Sequence, residues 1–204
     1  MRRQRQIKIN PVAEADFAGI ALVLLAAGKG SRFGGGKLAA LLGGEPVALH
    51  CAATLGALPF ACRFAVVSPQ TPDLGAHGFI ALPLDPPGAP QSRSLAIGVA
   101  AAQAAGARAV IIALADMPLV TAAHIEALAA GFDGNLIASR VGDRKMPPAI
   151  FAASHFAALT ALGGDRGAGG LLADAPSLPL SPDEALDIDF AEDLAKAADL
   201  LANR

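Results

Sequence analysis

The sequence predicts a three-layer α/β fold in which helices cover both faces of a mostly parallel, twisted sheet. The first observation is that short apolar runs alternate with longer Ala- and Leu-rich stretches along the chain. The second is the unbroken apolar run over 20–25, which is typical of a strand covered on both faces. The third is size, because 204 residues that are 53% hydrophobic allow one large core with at most a small additional lobe.

Local signals place the individual elements. Val and Ile are concentrated in 109–115, which favours a strand. Thr121 is a suitable helix N-cap, as are Ser92 and Ser94, and Gly106 and Gly131 are typical helix ends. The predicted strands cover residues 20–25, 63–67, 79–82, 109–115 and 136–139. The predicted helices cover residues 46–58, 94–105, 121–130 and 189–201.

The first residues differ in character from the rest of the chain. They carry four basic side chains, Arg2, Arg3, Arg5 and Lys8, but no apolar core or cleavage site typical of a signal peptide. We therefore expect residues 1–18 to form a flexible basic tail and residues 19–204 to form a single domain.

The composition argues against several classes of function. A net charge of −2 and an aromatic content of 4% argue against nucleic-acid binding. No apolar run is long enough and free enough of proline to predict a membrane span. Two cysteines, Cys51 and Cys62, provide neither a disulfide framework nor zinc-site spacing, so we expect a cytoplasmic protein.

A glycine-rich loop with two cations follows the first predicted strand, where ligands bind in such sheets. Backbone N–H groups at its glycines can approach an anion closely, and Arg32 and Lys37 supply the charge that polyphosphate requires. The spacing of Gly28, Gly30 and Gly34 does not fit the dinucleotide fingerprint, and the loop does not fit a P-loop either.

A single carboxylate, Asp116, follows the fourth predicted strand, and Pro118 sets the turn after it. A carboxylate at the end of a buried strand can hold Mg²⁺, which prefers carboxylate and phosphate oxygens. The alternative role is a cap for the helix that begins near Thr121.

Residues 25–38 read L-A-A-G-x-G-x-R-x-G-x-x-K-L, followed by a turn at Gly44-Glu45-Pro46. This signature resembles the nucleotidyltransferases that load a nucleoside monophosphate onto molybdopterin, and is most similar to the molybdenum cofactor cytidylyltransferases. The resemblance extends over residues 20–201 and also covers the L-x-D-x-P element around Asp116. It implies a Rossmann-like nucleotidyltransferase fold, Mg²⁺ as cofactor, and transfer to the phosphate of molybdopterin with release of pyrophosphate.

The resemblance also implies residue roles. The catalytic residues would be Arg32, Lys37 and Asp116, and the metal ligands would be Asp116 and Asp189. The acceptor would lie near Asp165 and Arg166, although Gly169 replaces the arginine usual in the family and the segment around Met146 also departs from its pattern. The nucleotide-binding residues would be Leu25, Ala26, Ala27, Gly28, Gly30, Arg32, Gly34, Gly35, Gly36, Lys37, Ser94 and Leu95.

The base and the acceptor are separate questions. Ala27 stands where users of GTP tend to have glycine, and its side chain leaves less room over the base, which favours CTP. Three alternatives stay open: a GTP-dependent molybdopterin guanylyltransferase, an enzyme acting on a sugar phosphate or another phosphorylated acceptor, and a catalytically silent nucleotide-binding protein that delivers cofactor to a molybdoenzyme.

Overall fold

The computed structural model describes residues 15–164 and 167–203 of the chain. Its main sheet has seven strands in the order β5-β4-β1-β6-β8-β7-β9. The strands are β1 Ile20–Ala26, β4 Cys62–Val67, β5 Ile80–Pro83, β6 Ala109–Leu114, β7 Leu136–Val141, β8 Arg144–Ala152 and β9 Ser177–Pro179. A separate hairpin pairs β2 Leu41–Leu42 with β3 Glu45–Pro46.

Helices cover both faces of the main sheet, so the predicted fold class is confirmed. They are α1 Val47–Gly56, α2 Gln91–Ala104, α3 Ala122–Gly131, α4 Phe156–Thr160 and α5 Ala191–Ala202. Alternate side chains of β1 face opposite layers, as the period of a strand requires. Ile20, Leu22 and Leu24 pack with α1, α3 and α5, whereas Ala21 and Val23 pack with α2 and α4.

The sheet is parallel except at one strand. Strands β5, β4, β1 and β6 run parallel to one another, as do β7 and β9, whereas β8 runs antiparallel to both β6 and β7. The sequence prediction contains no strand over 144–152, a segment that includes Pro147 and Pro148, and proline is unfavourable in a central strand. The register shifts here, so that Met146 pairs with Ser139 and Ala149 with Ala138, and both prolines fall in the resulting bulge.

Two predicted helix starts have different outcomes. Thr121 is the N-cap of α3, since its side chain accepts a hydrogen bond from the backbone N–H of His124. Neither Ser92 nor Ser94 caps α2, because that helix begins earlier, at Gln91, and both serines are buried within it.

The start of the described chain is packed against the domain. Phe17 is buried and lies edge-on to Phe60 with 4.8 Å between ring centroids. Residues 1–14 of the predicted tail lie outside the described residues, while residues 15–18 belong to this packed region. None of the helices in the described ranges is long and apolar enough to cross a membrane.

The topology brings two loops together at one edge of the sheet. Strands β1 and β6 are parallel neighbours, and Leu25 near the end of one pairs with Leu114 at the end of the other. The glycine-rich loop follows β1 and Asp116 follows β6, so both leave the sheet at the same edge. In parallel sheets ligands bind beyond these carboxyl ends.

Candidate active site

A cavity of about 480 Å³ lies beyond the ends of β1 and β6. One wall is the turn after β1, and the opposite wall is formed by the start of α2 and the residues before it. Lys37, Asp116 and Asp189 lie at its polar side. This volume suits a small-molecule ligand.

Lys37 connects the two predicted metal ligands. Its Nζ lies 2.7 Å from Oδ2 of Asp116 and 2.9 Å from Oδ1 of Asp189. The other oxygen of Asp189, Oδ2, accepts a hydrogen bond from the guanidinium of Arg32 at 3.0 Å. Lys37 is only 6% exposed, whereas the side chain of Arg32 is 69% exposed. The four side chains therefore form a continuous charged cluster that runs from the protein interior to solvent.

Backbone contacts explain why residues far apart in sequence meet here. The N–H of Ile188 donates to the carbonyl of Asp116 at 2.9 Å, which ties the segment before α5 to the end of β6. Asp193 then fixes the next turn, because its Oδ2 accepts from the backbone N–H groups of Asp189 at 3.0 Å and Phe190 at 2.7 Å. This is the carboxylate half of a helix-capping arrangement, and it sets the position of Asp189.

The thiol of Cys51 contacts the backbone immediately before Asp116. Its thiol lies 3.6 Å from the carbonyl of Leu114 and 3.4 Å from that of Ala115, the two residues before the aspartate. Burial raises the pKa of the Cys51 thiol, and the charge of Asp116 adds to this effect. The thiol therefore stays protonated and acts as a weak donor rather than as a nucleophile.

The charges of the cluster stabilise one another. Burial acts to lower the pKa of Lys37, yet the carboxylates of Asp116 and Asp189 outweigh it and hold that pKa above its ordinary value. The hydrogen bond from Lys37 holds the pKa of Asp189 below its usual range, with a further contribution from Arg32. Burial and the nearby charges of Asp116 and Asp189 raise the pKa of Asp187. At neutral pH Lys37 is therefore an ammonium and Asp189 a carboxylate.

The glycine-rich turn brings the stem of Lys37 into the cluster. Gly30 has φ +55°, in the left-handed region that favours glycine, and Gly34, Gly35 and Gly36 are left-handed as well. A Cβ at Gly30 would lie 3.1 Å from Cγ of Lys37, so the turn needs glycine at this position for close approach as well as for its φ.

The residues present are chemically suited to a divalent cation. Within residues 15–164 and 167–203, no group of three or more His, Cys, Asp or Glu side chains is arranged to hold a metal ion. However, Oδ1 of Asp116 is buried and, among the described atoms, has no hydrogen-bond partner. A buried carboxylate oxygen without a partner is costly, and a cation would satisfy it. Mg²⁺ commonly binds to one or two carboxylates and completes its shell with phosphate oxygens and water.

Most of the predicted nucleotide-binding residues line the cavity. Those that do are Leu25, Ala27, Gly28, Gly30, Arg32, Lys37 and Ser94. Ala26 is buried, and its carbonyl accepts a hydrogen bond from Thr71 at 2.6 Å. Gly34, Gly35 and Gly36 form the outer part of the turn, and Leu95 lies in a neighbouring cavity. The predicted acceptor residues, Asp165 and Arg166, lie outside the described residues.

Further residues line the cavity without having been predicted from the sequence. Lys29 is one of them, and its Cε lies 3.2 Å from the position that a Cβ of Gly88, three residues before α2, would take. Gln91 lines the opposite wall at the start of α2. The basic charge of Lys29 within a phosphate-binding motif could have suggested it, whereas Gln91 carries no such local signal.

Solved structures share this fold. A Mycobacterium sp. strain JC1 homolog of the Mycobacterium tuberculosis protein Rv0371c has a TM-score of 0.77 at 21% identity, with 91% of this chain and 98% of that chain covered. A nucleotidyl transferase from Methanothermobacter has a TM-score of 0.75 at 22% identity, with coverage of 90% and 98%. A manganese complex of Rv0371c from Mycobacterium tuberculosis has a TM-score of 0.68 at 19% identity, with coverage of 88% and 97%.

A comparison with curated proteins found none that matches the chain. The family comparison gave a match to the MobA-like NTP transferase domain over residues 22–179, which span the glycine-rich turn, Asp116 and both walls of the cavity. The chain therefore belongs to the MobA-like nucleotidyltransferase family.

Proposed function

We propose that the chain transfers a nucleoside monophosphate, CMP from CTP, onto the phosphate of a small-molecule acceptor, with Mg²⁺ as cofactor. The resemblance of the loop signature makes molybdopterin the first acceptor to test. The observation that carries the proposal is the buried ammonium of Lys37 between Asp116 and Asp189 at the side of a cavity lined by the glycine-rich turn.

The proposed reaction needs no general base. An oxygen of the acceptor phosphate attacks the α-phosphorus of the nucleotide, the bond to the β-phosphate oxygen breaks, and pyrophosphate leaves with the bonding electrons. A phosphate monoester is largely ionised at neutral pH, so the attacking oxygen carries no proton that must be removed. The enzyme has to align the two phosphates and neutralise their charge.

The described residues divide these tasks. Backbone N–H groups of the turn over 28–36 and the cations of Arg32 and Lys37 would bind the β- and γ-phosphates, where charge increases as pyrophosphate leaves. Asp116 and Asp189 would hold Mg²⁺, which would supply further neutralisation of phosphate charge. The manganese complex of a structural relative supports a divalent cation in this fold.

The choice of CTP depends on one side chain. Ala27 is nearly buried and lines the cavity at the start of the turn. A methyl group there, in place of hydrogen, narrows the space over the base and favours the smaller pyrimidine. The same argument predicts that purine nucleotides bind less tightly than CTP or UTP.

The test is a measurement of pyrophosphate release with CTP, GTP, ATP and UTP, each with and without molybdopterin. We expect release with CTP and molybdopterin, and a loss of at least about a hundredfold in Lys37→Ala and in Asp116→Ala, the effect typical of one lost charge-stabilising group. Lys196→Ala, an exposed cation on α5, is the control that should keep full activity.

Each other outcome changes a different part of the proposal. A clear preference for GTP would overturn the base assignment, and release only with other phosphates would overturn molybdopterin. Tight CTP binding without pyrophosphate release with any acceptor would favour the nucleotide-binding delivery protein. Near-normal activity of both alanine variants would refute the site.

A further inference from the structure

The turn that follows β4, over residues 68–71, lies beside the glycine-rich turn that follows β1. It is closed by a hydrogen bond from the backbone N–H of Thr71 to the carbonyl of Ser68 at 3.0 Å. The two strands are parallel neighbours, and Ala26 at the end of β1 pairs with Val67 at the end of β4. Residues of both turns line the same small cavity, so the two turns are adjacent.

The hydroxyl of Thr71 joins the two turns. It donates a hydrogen bond of 2.6 Å to the carbonyl of Ala26, the last residue of β1. Its oxygen accepts from the backbone N–H of Ser68 at 3.0 Å and lies 3.2 Å from the hydroxyl of Ser68. Because a hydroxyl has one hydrogen to donate, the hydroxyl of Ser68 is the donor to Thr71. The Thr71 hydroxyl therefore uses its donor and both lone pairs, which fixes its orientation.

The carbonyl of Ala26 lies where the hydrogen-bond ladder between β1 and β4 ends. Elsewhere at this edge a carbonyl accepts from the residue that follows its pairing partner, as Leu25 does from Ala115 at 3.1 Å. At Ala26 the corresponding donor is Ser68, but the N–H of Ser68 is directed to Thr71. The hydroxyl of Thr71 therefore takes the place of the strand donor.

This contact restrains the peptide group that leads into Ala27. The carbonyl of Ala26 and the N–H of Ala27 belong to one planar unit, so a partner on the carbonyl limits rotation of the whole unit. The methyl group of Ala27 packs with Val66 and Leu84, and the residue also lines the cavity of the candidate active site. Ala27 is therefore held at its backbone through Thr71 and at its side chain by apolar packing.

On the basis of the proposed nucleotidyl transfer, we propose that Thr71 is a positioning residue for the nucleotide base. It acts through the peptide between Ala26 and Ala27 and holds Ala27 against the base, whereas the phosphates bind further along the turn, over 28–36. Thr71 itself does not line the active-site cavity, so it acts without touching the nucleotide. Loss of its hydroxyl should weaken the binding of a complete nucleotide more than the binding of its phosphates alone.

Two probes separate the base from the phosphates. They are α,β-methylene-CTP, whose α–β link resists cleavage, and inorganic tripolyphosphate, which has no base. In isothermal titration calorimetry on the full chain with Mg²⁺, Thr71→Ala and Thr71→Val should bind α,β-methylene-CTP about fivefold or more weakly, the effect of one hydrogen bond. Their affinity for tripolyphosphate should change by less than about twofold. Thr71→Ser keeps the hydroxyl and should recover the affinity for α,β-methylene-CTP.

The two variants without a hydroxyl separate the lost hydrogen bond from side effects of substitution. Valine keeps the shape of threonine but places a methyl group beside the carbonyl of Ala26, whereas alanine leaves space there; if only one variant folds, that one decides. Thr160→Val is the matched control, because its hydroxyl also donates to backbone carbonyls, at 2.9 and 3.1 Å, but lies on α4. Equal losses for both probes, or unchanged affinity for α,β-methylene-CTP, would overturn the proposal.

Backbone order parameters from nuclear magnetic resonance test the positioning role without a nucleotide. The amide of Ala27 should have the value of a rigid backbone, about 0.85, in the unmodified chain and in Thr71→Ser, and a lower value in Thr71→Ala and Thr71→Val. Unchanged order parameters would refute the positioning role whatever the binding result. If the unmodified chain does not bind α,β-methylene-CTP, the proposed function fails, while lower order parameters would still support the restraint of Ala27 by Thr71.

Discussion

Lys37 and a divalent cation would neutralise the same two carboxylates. The ammonium lies 2.7 Å from Asp116 and 2.9 Å from Asp189, and it is almost fully shielded from solvent. Arg32 adds a second positive charge at Asp189. Because these cations already balance the carboxylates, the free chain should attract a metal ion weakly, and a triphosphate that brings its own negative charge should change this balance.

The prediction at this residue is that Lys37→Met binds Mn²⁺ at least about tenfold more tightly than the unmodified chain when no nucleotide is present. The variant keeps the length of the side chain but removes its charge from between the two carboxylates. Titration of Mn²⁺ followed by electron paramagnetic resonance measures free metal directly. Lys196→Met, which removes an exposed charge on α5, should leave Mn²⁺ affinity unchanged. Equal affinity in the Lys37 variant would show that the ammonium does not compete with the metal.

Gly30 gives a second prediction at the residue scale. Gly30→Ala should lower both stability and activity, because its left-handed φ costs about 1 kcal/mol or more for a side chain and its Cβ would press on Lys37. Gly142→Ala is the matched control: its φ is +56°, close to the +55° of Gly30, but its Cβ meets no atom within 4 Å. Urea unfolding should show a similar loss for both variants, while pyrophosphate release should fall only in the first. If pyrophosphate release falls equally in both variants, the loss of activity in Gly30→Ala does not come from contact with Lys37.

The sequence predicts the site residues that belong to one short motif, but not those that only the packing of the fold brings to the site. Gly30, Arg32 and Lys37 lie within one short motif, and all three line the cavity together with Asp116. Gln91 could not be predicted, because its role comes from the packing of α2 beside β1 and leaves no mark in neighbouring residues. Asp187, just before α5, also belongs to the acidic cluster, because burial and the nearby charges of Asp116 and Asp189 raise its pKa.

At the scale of elements, the start of α5 determines where Asp189 lies. Asp193 accepts hydrogen bonds from the backbone N–H groups of residues 189 and 190, and Ile188 is bonded to Asp116. The sequence has an acidic residue, Asp193, in the first turn of α5, a position that acidic residues favour. It does not predict β8. The bulge that accommodates Pro147 and Pro148 arises from pairing with β7, and no pattern of neighbouring residues indicates that pairing.

Asp193→Ala should lower the free energy of unfolding by about 1 kcal/mol, the usual cost of a lost helix cap. It should also lower kcat more than it raises KM for CTP, because Asp189 loses the turn that positions it. Asp193→Asn keeps an acceptor oxygen and should recover much of both losses. Glu192→Ala, an exposed acidic residue in the same helical turn, is the control for charge at the helix start. If Asp193→Ala loses stability but keeps kcat, Asp193 is only a cap.

At the scale of the whole molecule, the antiparallel part of the sheet is linked to α3 by a buried polar network. Nε2 of His124 lies 2.8 Å from the hydroxyl of Ser139, and that hydroxyl donates to the carbonyl of Pro148 at 2.7 Å. The imidazole is therefore the donor to Ser139. Glu184, the facing carboxylate, accepts from Thr121 at 2.7 Å and from Ser181 at 2.8 Å. These contacts join β7, β8, α3 and the segment before α5 into one unit.

This network makes the stability of the molecule depend on pH. Burial lowers the pKa of His124 below its ordinary 6.5, although the charge of Glu184 opposes the shift. As pH falls through 6.5, the unfolded chain takes up a proton at this residue before the folded chain does. Stability is therefore fully present above this pH and decreases below it, by at most about 1.4 kcal/mol per pH unit for one proton.

Urea unfolding between pH 7.5 and 5.5 tests the effect by comparing the unmodified chain with His124→Gln. The glutamine keeps a donor for Ser139 but cannot titrate, so the variant should lose less stability over this range even if it is less stable at pH 7.5. The hydrogen bonds of Glu184 hold its pKa below 4.5 despite partial burial, so that carboxylate remains ionised in both states across the range and does not contribute to the slope. Equal slopes for the two proteins would mean that His124 takes up its proton as readily in the folded chain as in the unfolded one.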